Sequence, residues 1–255
     1  MKKIYFVLLL LLALTGCGAA DAEEDIPQVP ETSQGQEVPE IQEPRQEETQ
    51  PTLNTSVIEG RPGELDFAFS LEKWITAFDR QYQADMGVTY LKPAEEWRTW
   101  DAETGVHSQQ PTTYHEFIEN EQMYNLPTMT VYTPPEGGCV QEITLDFDDH
   151  AYLDSAYELY EELCYYTIRT LLPELEEAQI TEIYETCNEI CYGDLRLNHQ
   201  RYSSAVVPVV LYYKDGVGFY PHFALGDYVR LCAIPVTEES LQGFAQKGTQ
   251  LRPIQ

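Results

Sequence analysis

All three tryptophans and seventeen of the eighteen tyrosines of this chain lie beyond residue 60. A hydrophobic core is built largely from such side chains, so whatever folds here must fold from that point on. The 195 residues from 61 to 255 are enough for one domain with a proper core. No second linker and no internal repeat interrupts them. Residues 18–60 have another composition. Glu, Gln, Pro and Thr dominate, no aromatic is present, and Ile26, Val29, Val38 and Ile41 stand isolated. Too little apolar surface is available there to offset the entropy of ordering. The stretch is expected to be a disordered acidic, proline-rich linker, with a root-mean-square span of roughly 35 Å.

Within 61–255 the periodicity changes from one segment to the next. Leu71, Trp74, Ile75, Phe78 and Tyr82 share one helical face, with Ser70 as the expected N-cap. Three extended runs follow, at 113–120, 128–132 and 139–148. In the last, Ile143, Leu145 and Phe147 alternate with Glu142, Thr144, Asp146 and Asp148, a period of two. The Pro-Pro-Glu-Gly-Gly segment at 134–138 is the turn between two of these strands. Ala156, Leu159, Tyr160, Leu163, Thr167 and Leu171 mark a second helix, with Ser155 and Glu158 as a capping pair and Pro173 as its breaker. Ile180, Ile183, Tyr184, Cys187, Ile190 and Cys191 mark a third. Strands are expected again at 206–213, 217–223 and 228–234, with Asp215-Gly216 as a hairpin turn. Residues 94–111 read as a long loop. Strands and helices are thus segregated, and short turns join strand to strand. That order predicts an α+β fold: a two-layer sandwich of a mostly antiparallel sheet with helices packed on one face.

Charge excludes some partners. The chain holds 43 acidic and 15 basic residues, a formal net charge of −28. Residues 61–255 alone hold 32 acids and 12 bases, so the folded part is itself acidic. No Lys/Arg cluster is present to bind a phosphate backbone, and nucleic acid is not an expected partner. An acidic surface resists aggregation and attracts cations or basic partners.

The candidate chemistry is sparse. Asp146, Asp148 and His150 form the densest polar cluster and are a weak candidate for a cation site; the other reading is a strand end running into a helix start. Carboxylate pairs suited to a glycosidase exist in numbers that make any one of them unspecific. No Gly-x-Ser-x-Gly elbow, Ser-x-x-Lys motif or Gly-rich phosphate loop occurs. Beyond Cys17 lie Cys139, Cys164, Cys187, Cys191 and Cys232. An odd count leaves at least one thiol unpaired within the chain. The sequence leaves open whether Cys187 or Cys191 pairs with Cys164 or whether all five pack as small hydrophobes. Tyr212, Tyr213, Phe219, Tyr220, Phe223 and Tyr228 cluster in the C-terminal strands. One sheet face there is a candidate binding surface for sugar rings or a protein. No cofactor is implied.

At the other end, Met1-Lys2-Lys3 is a basic head and residues 4–15 are an almost unbroken apolar run. That run is too short to span a bilayer, which takes roughly 20 residues. Basic head, apolar run and small residues are the layout of a secretory signal. The run ends in Leu14-Thr15-Gly16-Cys17. This motif resembles the lipobox of bacterial lipoproteins, and the resemblance covers residues 1–17 only. It implies cleavage before Cys17 and a diacylglyceryl group on its thiol, so that 1–16 is the signal peptide and 17–60 the lipidated cysteine and linker. It also implies that the protein is held outside the cytoplasm, on the outer leaflet of the cytoplasmic membrane. Two acyl chains suffice for stable anchoring. Address, core pattern and missing motifs together predict a non-catalytic surface lipoprotein, a binding or interaction module for an unidentified envelope ligand or protein. The alternatives are an envelope hydrolase acting on glycan or peptide through carboxylates, and a transporter's solute-binding receptor.

Overall fold

In this computed structural model the described residues are 52–103, 110–119, 126–148, 154–191, 208–224 and 228–255; of 148, 154, 223–224 and 228–229 only the backbone is described. They belong to one compact unit, Thr49–Gln255. A short hairpin of β1 (Val57–Glu59) and β2 (Leu65–Phe67) leads into α1 (Leu71–Met86). Then come β3 (Arg98–Ala102), β4 (Thr112–Ile118), β5 (Thr128–Thr133) and β6 (Glu142–Asp148). Next are α2 (Asp154–Leu171), α3 (Glu177–Ile190), β7 (Val210–Lys214), β8 (Val217–Ala224) and β9 (Tyr228–Pro235). The chain finishes with α4 (Glu238–Gln246) and β10 (Gln250–Pro253).

Eight strands form one sheet in the order β10-β7-β8-β9-β6-β5-β4-β3. Every pairing is antiparallel except β10 with β7, which is parallel. The fold is therefore α+β. Strand alternation divides the side chains between two faces. Phe117, Met129, Val131, Ile143, Leu145, Phe147, Phe219, Leu231 and Ala233 point to the face covered by α1, α2 and α3. The indole Nε1 of Trp74 on α1 donates to the Met129 sulfur at 3.5 Å, which fixes α1 over β5. The ring of Phe147 packs against Tyr157 and Tyr160 of α2. Phe78 lies at the centre of the α1 cluster, with Trp74, Tyr82, Tyr90 and Tyr166 ringed around it at centroid distances of 5.7 to 6.4 Å.

The helix ends follow local chemistry. Ser70 occupies the N-cap of α1, and Gly87 ends the helix in the left-handed conformation at φ 78°. α2 stops before Pro173, whose ring would clash with the preceding turn. It is described from Asp154, so Ser155 falls inside its first turn instead of capping it. In α3 the Gln179 side chain accepts from the Glu176 amide at 2.8 Å. Asp215 and Gly216, at φ 46° and 86°, join Lys214 to Val217 in the tight turn that favours these residue types.

Two expectations are corrected. The 94–111 region is not simply a loop: it carries a short 3₁₀ turn at Ala94–Glu96 and then β3, the outermost strand of the sheet. Its five residues are mostly exposed, so no burial alternation marks them. The C-terminal segment adds α4, which the periodicity did not predict. Leu241 and Phe244 of α4 pack with Leu211, Tyr220, Cys232 and Ile234, on the sheet face opposite the other three helices.

Replacing Phe78 by Ala opens a cavity among four aromatic rings. The expected loss is about 3–5 kcal/mol of unfolding free energy, read from the urea midpoint at unchanged slope.

Candidate functional site

The face away from α1–α3 is polar across β3 to β6 and β9, and the strand register writes its layout. One row runs Trp100, Tyr114, Tyr132, Glu142 across β3 to β6. The next runs Arg98, Glu116, Thr130, Thr144, Cys232, Tyr220. A third runs Thr128, Asp146, Arg230, His222. These residues share a face because directly paired residues of neighbouring strands project to the same side of the sheet.

At the centre this face is buried. Glu142 is 3 % exposed, Tyr132 3 %, Thr144 0 % and Tyr220 1 %. The Tyr220 hydroxyl donates to Glu142 Oε1 at 2.8 Å. Burial pushes the Glu142 carboxyl up to about 8, with Asp146 adding to the rise and Arg230 opposing it. Glu142 is therefore a neutral acid near neutral pH. Arg230 forms a charge-assisted hydrogen bond through Nε to Asp146 Oδ1. Burial opposes the charge on Arg230, but the carboxylate beside it outweighs that and holds the guanidinium protonated. His222, next along that row, is pushed down to about 4 by burial and by Arg230, so its ring is neutral. Its Nδ1 is buried with no hydrogen-bond partner among the described residues.

Toward β3 the same face opens. Trp100 is 43 % exposed and stacks on Tyr114 at 5.4 Å with an interplanar angle of 19°. Tyr114 meets Tyr132 edge-on at 4.5 Å. The indole is therefore backed by a ring that is itself held from behind. Arg98 lies one row along, 3.7 Å from Glu116.

The C-terminal aromatics are divided between the two faces of the sheet. Tyr212 and Phe219 face the helices and are buried, Tyr212 with Arg252 Nη1 donating to its hydroxyl at 2.7 Å. Tyr220 faces the other way but is covered by the α4 cluster. Tyr213 is half-buried beside α4. These four form no exposed platform, because adjacent strand residues diverge and both faces there are packed. The side chains of Phe223 and Tyr228 lie outside the described residues. Of the weak cation candidate, Asp146 is engaged by Arg230, while the Asp148 side chain and His150 lie outside the described residues. Cys17 lies outside them as well.

All five described cysteines are free thiols; Cys164, Cys187, Cys191 and Cys232 are fully buried and Cys139 partly so. Burial raises every one of these thiols, the reverse of what a nucleophile needs. Among the described residues no group of three His, Cys, Asp or Glu side chains converges as a metal site, and no helix is long and apolar enough to cross a membrane.

Sequence reasoning missed Arg230 and Trp100. The first carried a signal: a lone charge in an otherwise apolar strand, with Asp146 at an alternating position on another. The second lay in a segment without periodicity. No family model, no curated protein and no solved structure matches the chain.

Two outcomes are expected. Arg230→Ala leaves the part-buried Asp146 without its guanidinium and should cost up to about 3 kcal/mol in chemical denaturation. For Glu142 the sign follows from its carboxyl, raised in the fold from 4.5 to about 8. Across that window the unfolded chain ionises while the fold keeps the proton. Stability should then fall as pH rises from about 4.5 and level off above about 8, by at most about 1.4 kcal/mol per pH unit. Glu142→Gln should flatten that slope, measured as urea midpoints over the same pH range.

Proposed function

We propose that this chain is a bacterial surface lipoprotein, anchored through a lipid on Cys17, whose acidic α+β domain is a non-catalytic binding module in the cell envelope. The observation that carries the reading is Leu14-Thr15-Gly16-Cys17 at the end of a short apolar run with a basic head. The anchor is the membrane partner; the ligand is an envelope molecule or protein. The domain supports this reading in two ways. The sheet face opposite α1–α3 ends, at β3, in an exposed tryptophan braced by Tyr114, a feature suited to contact. Four of its five described thiols are buried, and its Asp146 is tied to a guanidinium, so these groups are committed to structure.

A second reading, an envelope hydrolase working through carboxylates, draws on Glu142, a carboxyl that holds its proton as a general acid does. Its depth in the sheet face speaks for a structural role. Catalysis by this group would require a wall glycan or peptide to be cleaved by the wild type and left intact by Glu142→Gln.

Expression in a lipidating bacterial host with labelled palmitate tests the anchor. The wild-type chain should take up label and fractionate with membranes, and Cys17→Ser should take up none. Equal labelling of the two overturns the reading.

A further inference from the structure

We propose that the open edge of β3 is a strand-addition site for an extended, lysine- or arginine-rich peptide segment of a partner, with Trp100 as the platform for one of its cationic side chains. The inference rests on reading the chain as a binding module and names the class of its partner.

Three independent observations meet at this edge. β3 is the last strand of the eight, bonded to β4 on one side and to no strand on the other among the described residues. A terminal strand leaves a row of backbone N–H and C=O groups unpaired by the sheet, the template that an added strand completes. Sheets commonly protect such edges with proline or a covering element. The opposite edge follows that rule, for β10 is short, ends in Pro253 and has α4 beside it. β3 contains no proline, and Arg98, Thr99, Trp100 and Asp101 are all exposed.

The second observation is the ring. Tyr114 covers the inner side of the Trp100 indole, leaving its outer side toward the edge. Because Tyr132 holds Tyr114 in turn, the indole is presented with little freedom to lose on binding. Trp is the best aromatic partner for a cation, and the contact strengthens as an added strand excludes water from it.

The third is charge. Glu95 and Glu96 precede the strand, Asp101 lies in it, Glu103 follows it and Glu116 stands beside it, with Arg98 the one base among them. Acidic surroundings raise the local concentration of a cationic segment and repel an anionic one. This decides between occupants. The chain's own residues 18–60 carry eleven acids and one base, and a second copy carries the same −28, so both are disfavoured. A basic partner is favoured by these five carboxylates and opposed by Arg98 and, further off, Lys92 and Arg61.

The test uses the full chain in detergent, with short blocked peptides as probes in calorimetric titration. An alternating Lys/Thr peptide is the positive probe. A Glu/Thr peptide controls for charge, and a Lys/Thr peptide with alternate backbone amides methylated on its bonding edge controls for strand addition. The Lys/Thr peptide should bind, more weakly as salt is raised. Affinity should fall by about tenfold or more on N-methylation and again with Trp100→Ala. Trp100→Phe should retain most of it. Trp100 is exposed, so the Ala variant should keep the wild-type thermal transition, and the methylated peptide tests the edge without any variant. No binding of the Lys/Thr peptide overturns the proposal. So does equal binding of the methylated peptide, which would mean adsorption to an acidic surface. Sedimentation showing a dimer that Trp100→Ala dissolves would give the edge to a second copy and overturn it too. Loss of palmitate labelling would sink the anchored reading while leaving the peptide result standing. A failed titration beside normal labelling would sink this assignment alone.

Discussion

Arg230 faces Asp146 across the β6–β9 ladder, and the register of the central sheet depends on that meeting. Each charge sits between residues that face the helices: Asp146 between Leu145 and Phe147, Arg230 beside Leu231. A one-residue slip of β6 against β9 would turn Asp146 into the apolar layer, leave Arg230 without it on the other face, and bring Leu145 and Phe147 out. Desolvating two ions costs several kcal/mol each, and their attraction roughly offsets that cost only when they meet. The pair therefore contributes little net stability but heavily penalises the wrong register. With β6 and β9 locked, β5, β4 and β3 follow by successive pairing, and Trp100 arrives beside Tyr114 as a consequence.

Glu142, at the start of the same strand as Asp146, is held in another way. It is accommodated as an acid, with Tyr220 donating to one oxygen. Glu142 and Asp146 of β6 are four residues apart on one face and are handled in opposite ways: Asp146 is paired with a guanidinium, while Glu142 is kept neutral by burial. The chemistry of this face is thus set by where Arg230 reaches rather than by the number of carboxylates, of which the chain has a surplus.

The elements legible in the sequence were those with one wet and one dry side. Ile143, Leu145 and Phe147 declared β6, and Leu71, Trp74, Ile75, Phe78 and Tyr82 declared α1, because burial and spacing coincide there. Asp215-Gly216 declared its hairpin through backbone geometry alone. β3 was illegible because both its sides are wet. It is a strand only because β4 bonds to it, and pairing leaves no trace in a single sequence. α4 was missed for a related reason: two apolar anchors, Leu241 and Phe244, over nine residues make too weak a stripe. That omission hid what covers part of the candidate surface. Tyr220 looks available until a helix known only from tertiary contact covers it. Sequence shows which residues share a face but not what lies over that face.

A strand-edge site on an acidic domain divides its labour in a way the composition makes necessary. Hydrogen bonds from an edge recognise any extended backbone and would by themselves accept many segments. Electrostatics supplies the discrimination, since each acidic side chain near β3 penalises an anionic competitor as well as favouring a cationic one. That discrimination is screened beyond about 8 Å at physiological ionic strength, so only charges close to the strand contribute to it. Glu95, Glu96, Asp101 and Glu103 are close in sequence to Trp100, whereas the acids of α3 are remote in the sheet order and contribute solubility. Selectivity at such an edge therefore belongs to a few neighbours of one indole, and the large net charge of the chain matters to binding only through them.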